Sequence, residues 1–179
     1  MWVYIMLFNR KNKGTVRYAK KKDLDRINAL RKQLHDLHCT GKPDIFQKPF
    51  GDKLTAEIRK MYHNKDGILV VSEKDEDIQG FAYAVCYTIK DSPYWDERKY
   101  CKICEVCVDK ALRGQGIGTE LVEYIGKESA EKGFEKLEME VWEFNAAACA
   151  FWEKRGFTTY LRCMERKPAA AAGEETCQQ

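Results

Sequence analysis

The chain lacks a dominant charge. Its 31 lysines and arginines stand against 28 aspartates and glutamates, a formal net charge of +3. No long basic block stands out, so bulk electrostatics give no argument for a nucleic-acid partner. The G-x-x-x-x-G-K-[ST] phosphate loop is absent, which excludes that route to a nucleotide. The dinucleotide fingerprint G-x-G-x-x-G is broken. Gly114 and Gly116 fit it, but Thr119 stands where the third glycine is needed, and no acidic residue at a following strand end compels the ribose contact. There is no internal repeat. The opening "MWVYIMLFNRKNKG" has eight mostly apolar residues and then positive ones. A signal peptide runs in the opposite order and needs a small-residue cleavage site. Eight residues are also too few to span a bilayer. The expectation for residues 1–14 is an extra strand or a loose extension, with no membrane partner.

Present instead is an ordinary globular balance. Of 179 residues, 44% are hydrophobic and 33% charged, which suits a soluble domain with room for a core. Eight cysteines are many for this length. A secreted disulfide scaffold would normally be shorter and carry a leader, so the expectation is a cytoplasmic protein with reduced thiols.

Periodicity divides the chain into elements. A short strand over 15–21 precedes a helix over 23–38, with Leu24, Ile27, Leu30, Leu34 and Leu37 on one face and Asp23 as N-cap. A loop broken by Gly41, Pro43, Pro49 and Gly51 leads to a second amphipathic helix over 52–64. Strands over 67–74 and 78–89 form a hairpin on the acidic turn "DEDI". A third strand over 99–109 follows, then a helix over 118–133 stopped by Gly133. A strand over 134–142, a helix over 145–156 capped by Asn145, and a last strand over 157–166 complete the domain. Residues 168–179 lack periodicity and read as a disordered tail. Hairpins first and a β-α-β crossover later imply an α/β (α+β) mixed sheet with helices on it.

Two features compete for the function. "CKICEVC" (101–107) has C-x-x-C-x-x-C spacing. In a strand, however, side chains alternate. Cys101, Ile103, Glu105 and Cys107 are then expected on one face, and Lys102, Cys104, Val106 and Val108 on the other. One strand cannot gather three such sulfurs around a metal, and no fourth ligand is near in sequence, so no metal site is expected. His35, His38 and Cys39, at the end of the first helix, suit a helix C-terminus better than a metal. The second feature is "RGQGIGTEL" (113–121) between strand and helix. Gly114, Gly116 and Gly118 let backbone amides approach a ligand, the helix N-terminus favours phosphate, and Arg113 adds a full charge.

The run Arg113-Gly114-Gln115-Gly116-Ile117-Gly118 after Val108-Asp109 resembles [RQ]-x-x-G-x-[GA], a signature of the GNAT superfamily of acyl-CoA-dependent N-acyltransferases. Asn145, Ala148, Phe151, Trp152, Glu153, Lys154, Gly156 and Phe157 resemble its second signature, N-x-x-A-x-x-[FL]-Y-E-K-x-G-F. "VRYAKKKDLDRINAL" is similar to the family's first strand and helix. The resemblance covers residues 16–166 in the family's element order. It implies a mostly antiparallel twisted sheet flanked by about four helices, with a CoA-binding β-α-β core, over residues 15–167.

The resemblance also implies roles. The pantetheine arm of acetyl-CoA would lie along Val106, Cys107 and Val108, where that strand splays from its parallel neighbour. An amide near Cys107 would stabilise the oxyanion. The pyrophosphate would take amides from Gln115, Gly116, Gly118 and Thr119 within the loop that includes Gly114 and Ile117, with Arg113 beside it. Asn145 would contact the arm, with Ala148 and Phe151 packed near. Glu105 is the expected base for a primary-amine acceptor, with Asp96 and Glu97 as fallbacks. Asp44, Tyr94, Trp95, Asp96 and Glu97 are expected to rim the acceptor side. Trp152 departs from the pattern: the family has a tyrosine there that protonates the leaving thiolate, and an indole N–H is not a practical acid. The expected reaction is acetyl transfer by direct attack, with no acyl-cysteine needed although Cys107 and Cys149 lie near the site. The alternative is an acyl-CoA-binding regulatory module with little chemistry. Dimers are common in the family, which leaves a homodimer open.

Overall fold

The computed structural model describes residues 14–166. The expected tail, and all but the last residue of the expected N-terminal extension, lie outside the described residues. In chain order the elements are β1 (Thr15–Tyr18), α1 (Leu24–Gly41), α2 (Asp52–His63), β2 (Gly67–Lys74), β3 (Asp77–Ile89), β4 (Arg98–Val108), α3 (Ile117–Glu131), β5 (Lys136–Met139) and α4 (Ala146–Glu153). The strands form one sheet in the order β1-β2-β3-β4-β5. Every pairing is antiparallel except β4 with β5. That parallel pair is joined through α3, as a β-α-β unit requires. The mixed α/β sheet with four helices is the architecture the sequence implies.

Strict alternation in the central strands builds two cores. Ile68 and Val70 of β2 and Ala82 and Ala84 of β3 pack with Leu121 and Ile125 of α3 and Trp152 of α4. Their neighbours Leu69, Val71 and Phe81 point the other way, onto Ile27 and Leu30 of α1 and Ile58 of α2. The hairpin between these strands turns on Asp75 and Glu76, whose φ values are 51° and 66°. Two consecutive positive φ angles match the twist of the flanking strands, so the expected "DEDI" turn narrows to two residues.

Three expectations fail here. Residues 157–166 form no strand. Leu161 and Met164 are 75% and 85% exposed, so no buried face fixes a register for that segment. It touches the sheet through Tyr160, whose hydroxyl donates to Glu138 at 3.0 Å. Asp23 makes no side-chain cap on α1; its carboxylate accepts from the Lys20 amide at 2.7 Å and from Arg17 at 2.7 Å. His38 does lie in the last turn of α1, which ends at Gly41, but among the described residues neither histidine side chain bonds the last helix carbonyls. His35 bonds the Gln47 carbonyl at 2.8 Å, and His38 stacks on Phe46 with centroids 5.0 Å apart.

Ile27 and Ile125 are both fully buried, in the α1 core and the α3 core respectively. Ile27→Val and Ile125→Val should each cost about 1 kcal/mol in urea unfolding. Because the sheet separates them, the double variant should lose the sum to within about 0.5 kcal/mol.

Candidate active site

The site begins at an irregularity in β4. Tyr83 pairs with Glu105, but the next β3 residue, Ala84, pairs with Ile103. Cys104 is the extra residue of a bulge, and a bulge resets which face each later side chain takes. Cys101 and Ile103 therefore lie in the α3 core, and Val106 and Val108 pack against that same core. Glu105 and Cys107 turn to the α1 side. Strict alternation along β4 is thus corrected: Cys101 and Cys107 occupy opposite faces, and Cys104 is exposed between them. The Cys107 thiol is buried and donates to the Leu30 carbonyl at 3.4 Å. Burial pushes it up to about 11. It faces away from the gap described next, so it offers no nucleophile there, while its backbone stays on the strand edge.

The bulge coincides with the end of the β4–β5 ladder, whose last pair is Ile103 with Met139. Beyond it the two strands part, and among the described residues β4 has no strand partner on that side from Cys104 to Val108. A cavity of about 350 Å³ occupies the gap. Its walls are Cys104, Glu105 and Val106 of β4, Met139 to Trp142 at the end of β5, and Asn145, Ala148 and Trp152 around α4. Leu34 and His38 of α1 close the other end. The cavity thus runs through the sheet, from the α4 face to the α1 face.

At the α4 end lies the glycine loop. Gly114 and Gly116 have φ of 79° and 88°, and a Cβ at either would meet no atom within 4 Å. The conformation, not crowding, demands glycine there. Gly116 is the N-cap of α3. The amides of Ile117 and Gly118, in its first turn, have no intrahelical acceptor, whereas the Thr119 amide already donates to the Gly116 carbonyl at 3.0 Å. The Arg113 guanidinium donates to the Val108 carbonyl at 3.2 Å, holding the loop to the strand end. A second fastening reaches α1. Asp109 accepts from Arg26 at 2.8 Å and from Gln33 at 3.3 Å, and the Arg26 pairing holds the Asp109 carboxyl below its ordinary range. Asn145 caps α4 by accepting from the Ala148 amide at 3.1 Å. Phe151 lies 3.5 Å from where a Gly118 Cβ would be, so α4 and the glycine loop meet directly.

At the α1 end, charge is tightly managed. Arg31, 7% exposed, grips Glu105 with two bonds of 2.9 and 3.2 Å. It also donates to the Leu54 carbonyl at 2.8 Å and to Asn28 at 3.1 Å. Across the cavity Lys102 pairs with Glu140 at 2.6 Å. Around these charges stands an aromatic wall that sequence reading missed. Phe46 stacks on His38 and meets Trp142 edge-on at 5.4 Å. Phe144 meets His38 at 6.1 Å and lies so close over Gly41 that a Cβ there would fall 2.1 Å from the ring. The signal was present as "IFQKPF" and "VWEF", but nothing in their spacing says that two loops a hundred residues apart converge. His38 is half-buried; burial first, then neighbouring His35, lowers its pKa from the ordinary 6.5.

The residues expected to rim the acceptor side are not among the cavity walls. Tyr94 and Trp95 are 87% and 61% exposed, in the loop before β4. Trp95 lies beside Arg98 at 5.9 Å, Glu97 pairs with Lys90 at 3.6 Å, and Asp96 is exposed in the same loop. That loop meets β4 at its start, whereas the cavity lies along its middle, from Lys102 to Val106. Asp44, nearer the α1 end, pairs with Lys42 at 3.8 Å.

With this geometry in hand, comparison assigns the chain. Residues 31–157 match the model of the acetyltransferase (GNAT) family, and the chain belongs to that family. No curated protein matches it. Among solved structures, a tetramutant of the BH1408 protein from Bacillus halodurans superposes with a TM-score of 0.82 at 23% identity, over 86% of this chain and 99% of that one. The aminoglycoside N-acetyltransferase AAC(6')-Iy, solved with CoA, gives 0.70 at 18% identity, over 92% and 100%. An acetyltransferase from Vibrio fischeri gives 0.57 at 25% identity, over 72% and 96%. These likenesses show the fold. Among the described residues no helix is long and apolar enough to cross a membrane.

Arg31 holds four acceptor atoms on three elements. Arg31→Met should destabilise the protein by about 2–3 kcal/mol in urea unfolding, since Glu105, only partly buried, is left without its counter-charge.

Proposed function

We propose that this family member transfers an acetyl group from acetyl-CoA to a primary amine by direct attack. The observation that carries the reading is the strand gap beyond Ile103 and Met139, with a glycine loop and helix N-terminus at one end. A pantetheine arm has amide groups spaced to satisfy an orphaned strand edge, so Val106, Cys107 and Val108 would hold it through their backbone. Free amides at Gln115, Gly116, Ile117 and Gly118, with Arg113 and the α3 dipole, suit a pyrophosphate. Thr119 contributes less on this reading, because its amide is already engaged. Asn145, Ala148 and Phe151 would line the arm from α4. The thioester would then sit beside the bulge, where a β4 amide near Cys107 can stabilise the oxyanion. Glu105, on the α1 side of that point and already paired with Arg31, keeps lone pairs that can accept from an ammonium group. The buried Cys107 thiol supports direct transfer over an acyl-cysteine.

A second reading is favoured by Trp152. It is 7% exposed and wedged edge-on between Phe151 and Phe157 at 4.9 and 5.1 Å. It offers no acid where the family pattern has tyrosine, as a CoA-sensing module would tolerate. Thiol release from acetyl-CoA across a panel of primary amines separates the two. Release with any amine supports the enzyme; acetyl-CoA binding with no release on the whole panel supports the sensor.

The cradle itself is tested at Gly116. Gly116→Ala should cost about 1 kcal/mol of stability, from the left-handed φ alone. It should weaken acetyl-CoA binding in calorimetry about tenfold, by turning away a phosphate-facing amide. Unchanged affinity would count against the loop as the pyrophosphate site.

A further inference from the structure

We propose that His38, on α1, takes the proton from the acceptor amine, and that Glu105 holds the ammonium rather than deprotonating it. The inference rests on the acetyltransferase reading above and adds a catalytic residue that the sequence motifs do not assign.

Four observations carry it. His38 lines the cavity at the end opposite the glycine loop, which is where an acceptor must approach a thioester held beside the bulge. Its ring is fixed by the stack on Phe46 at 5.0 Å and the edge contact with Phe144 at 6.1 Å. Among the described residues its side chain makes no hydrogen bond, so a ring nitrogen is available to a substrate proton. Glu105, by contrast, already accepts from Arg31 on both oxygens. A bidentate guanidinium pair engages both carboxylate oxygens and holds them in place, which leaves Glu105 better suited to accept from an amine N–H than to carry its proton away.

The electrostatic surroundings agree. The charged groups around His38 are His35 on its own helix, the Arg31–Glu105 pair, and the Lys102–Glu140 pair across the cavity. Burial and His35 outweigh Glu105 and keep the imidazole neutral into mildly acidic solution. A neutral imidazole is the competent base, so activity should fall as pH drops through a value below 6.5 and the ring becomes charged.

The step balances. An ammonium R–NH3⁺ gives one proton to His38. The freed lone pair forms the N–C bond at the thioester carbonyl. The C–S bond then breaks with its electron pair on sulfur, and a second proton leaves nitrogen and reaches the thiolate through solvent. His38 returns its proton to water. The products are an N-acetyl amine, free CoA thiol and one proton.

The test uses the full chain, acetyl-CoA, and the most active amine of the primary-amine panel. For the wild type, log(kcat/KM) should show an acidic limb. His38→Gln should lower kcat about 100-fold or more and abolish that limb, while acetyl-CoA affinity by calorimetry stays within about twofold. Glu105→Gln should raise the KM for the amine and keep the limb. A His38→Gln enzyme with wild-type kcat and an intact limb would overturn the proposal. If His38→Gln loses acetyl-CoA binding, the wild-type limb decides by its temperature dependence. An imidazole ionises with a large enthalpy and its limb moves on warming. A carboxylate limb stays still, and that result would also overturn the proposal. No thiol release by the wild type with any amine would instead sink the acetyltransferase reading, and this inference with it.

Discussion

Beyond Ile103 the β4 backbone has no strand on its β5 side among the described residues, and peptide groups deprived of a ladder must find other partners. Everything distinctive about the molecule is arranged around that open edge. The parallel β4–β5 pair exists only as far as the two cores require it, over four residue pairs. The bulge at Cys104 then redirects the strand. It keeps Val106 and Val108 on the α3 core while sending Glu105 to the α1 side. A single inserted residue thus coincides with the end of the β4–β5 ladder, while β4 stays paired with β3, and puts a carboxylate at the far mouth of the gap.

The rest of the fold holds this gap in shape. Arg26 and Gln33 of α1 grip Asp109, and Arg113 grips the Val108 carbonyl, so the glycine loop is tied to both the helix and the strand. Arg31, between Arg26 and Gln33 on α1, clamps Glu105 and reaches the start of α2 through the Leu54 carbonyl. Partly buried ion pairs of this kind stabilise little by themselves, but they fix geometry. The far mouth is finished by rings from two loops and α1. Phe46, Trp142 and Phe144 gather around His38, and Gly41 leaves room for Phe144.

Much of this was legible in the residues. The β-α-β core and the phosphate-suited turn follow from period changes and from Gly114 and Gly116, whose left-handed φ angles only glycine adopts cheaply. Asn145 was readable as a cap and is one. What was hidden depends on tertiary pairing. The bulge at Cys104 arises from register with β3, and "CKICEVC" has no local mark of it. Strict alternation therefore gave the wrong faces, although the conclusion that one strand disperses these sulfurs holds for a different reason. The Arg31–Glu105 pair joins residues 74 apart, and the aromatic wall joins two loops. Residues 157–166 show the reverse error: a strand-like pattern meets no surface that would bury one of its faces.

The central claim is that the open edge of β4 is the seat of an acyl-CoA chain. Hydrogen exchange of the backbone amides, with and without acetyl-CoA, tests it most directly. Amides over 104–108 and 115–118 should gain protection on adding acetyl-CoA, while those at the start of β4, already laddered to β3 and β5, should not change. Exchange over 104–108 that is indifferent to saturating acetyl-CoA would contradict the claim.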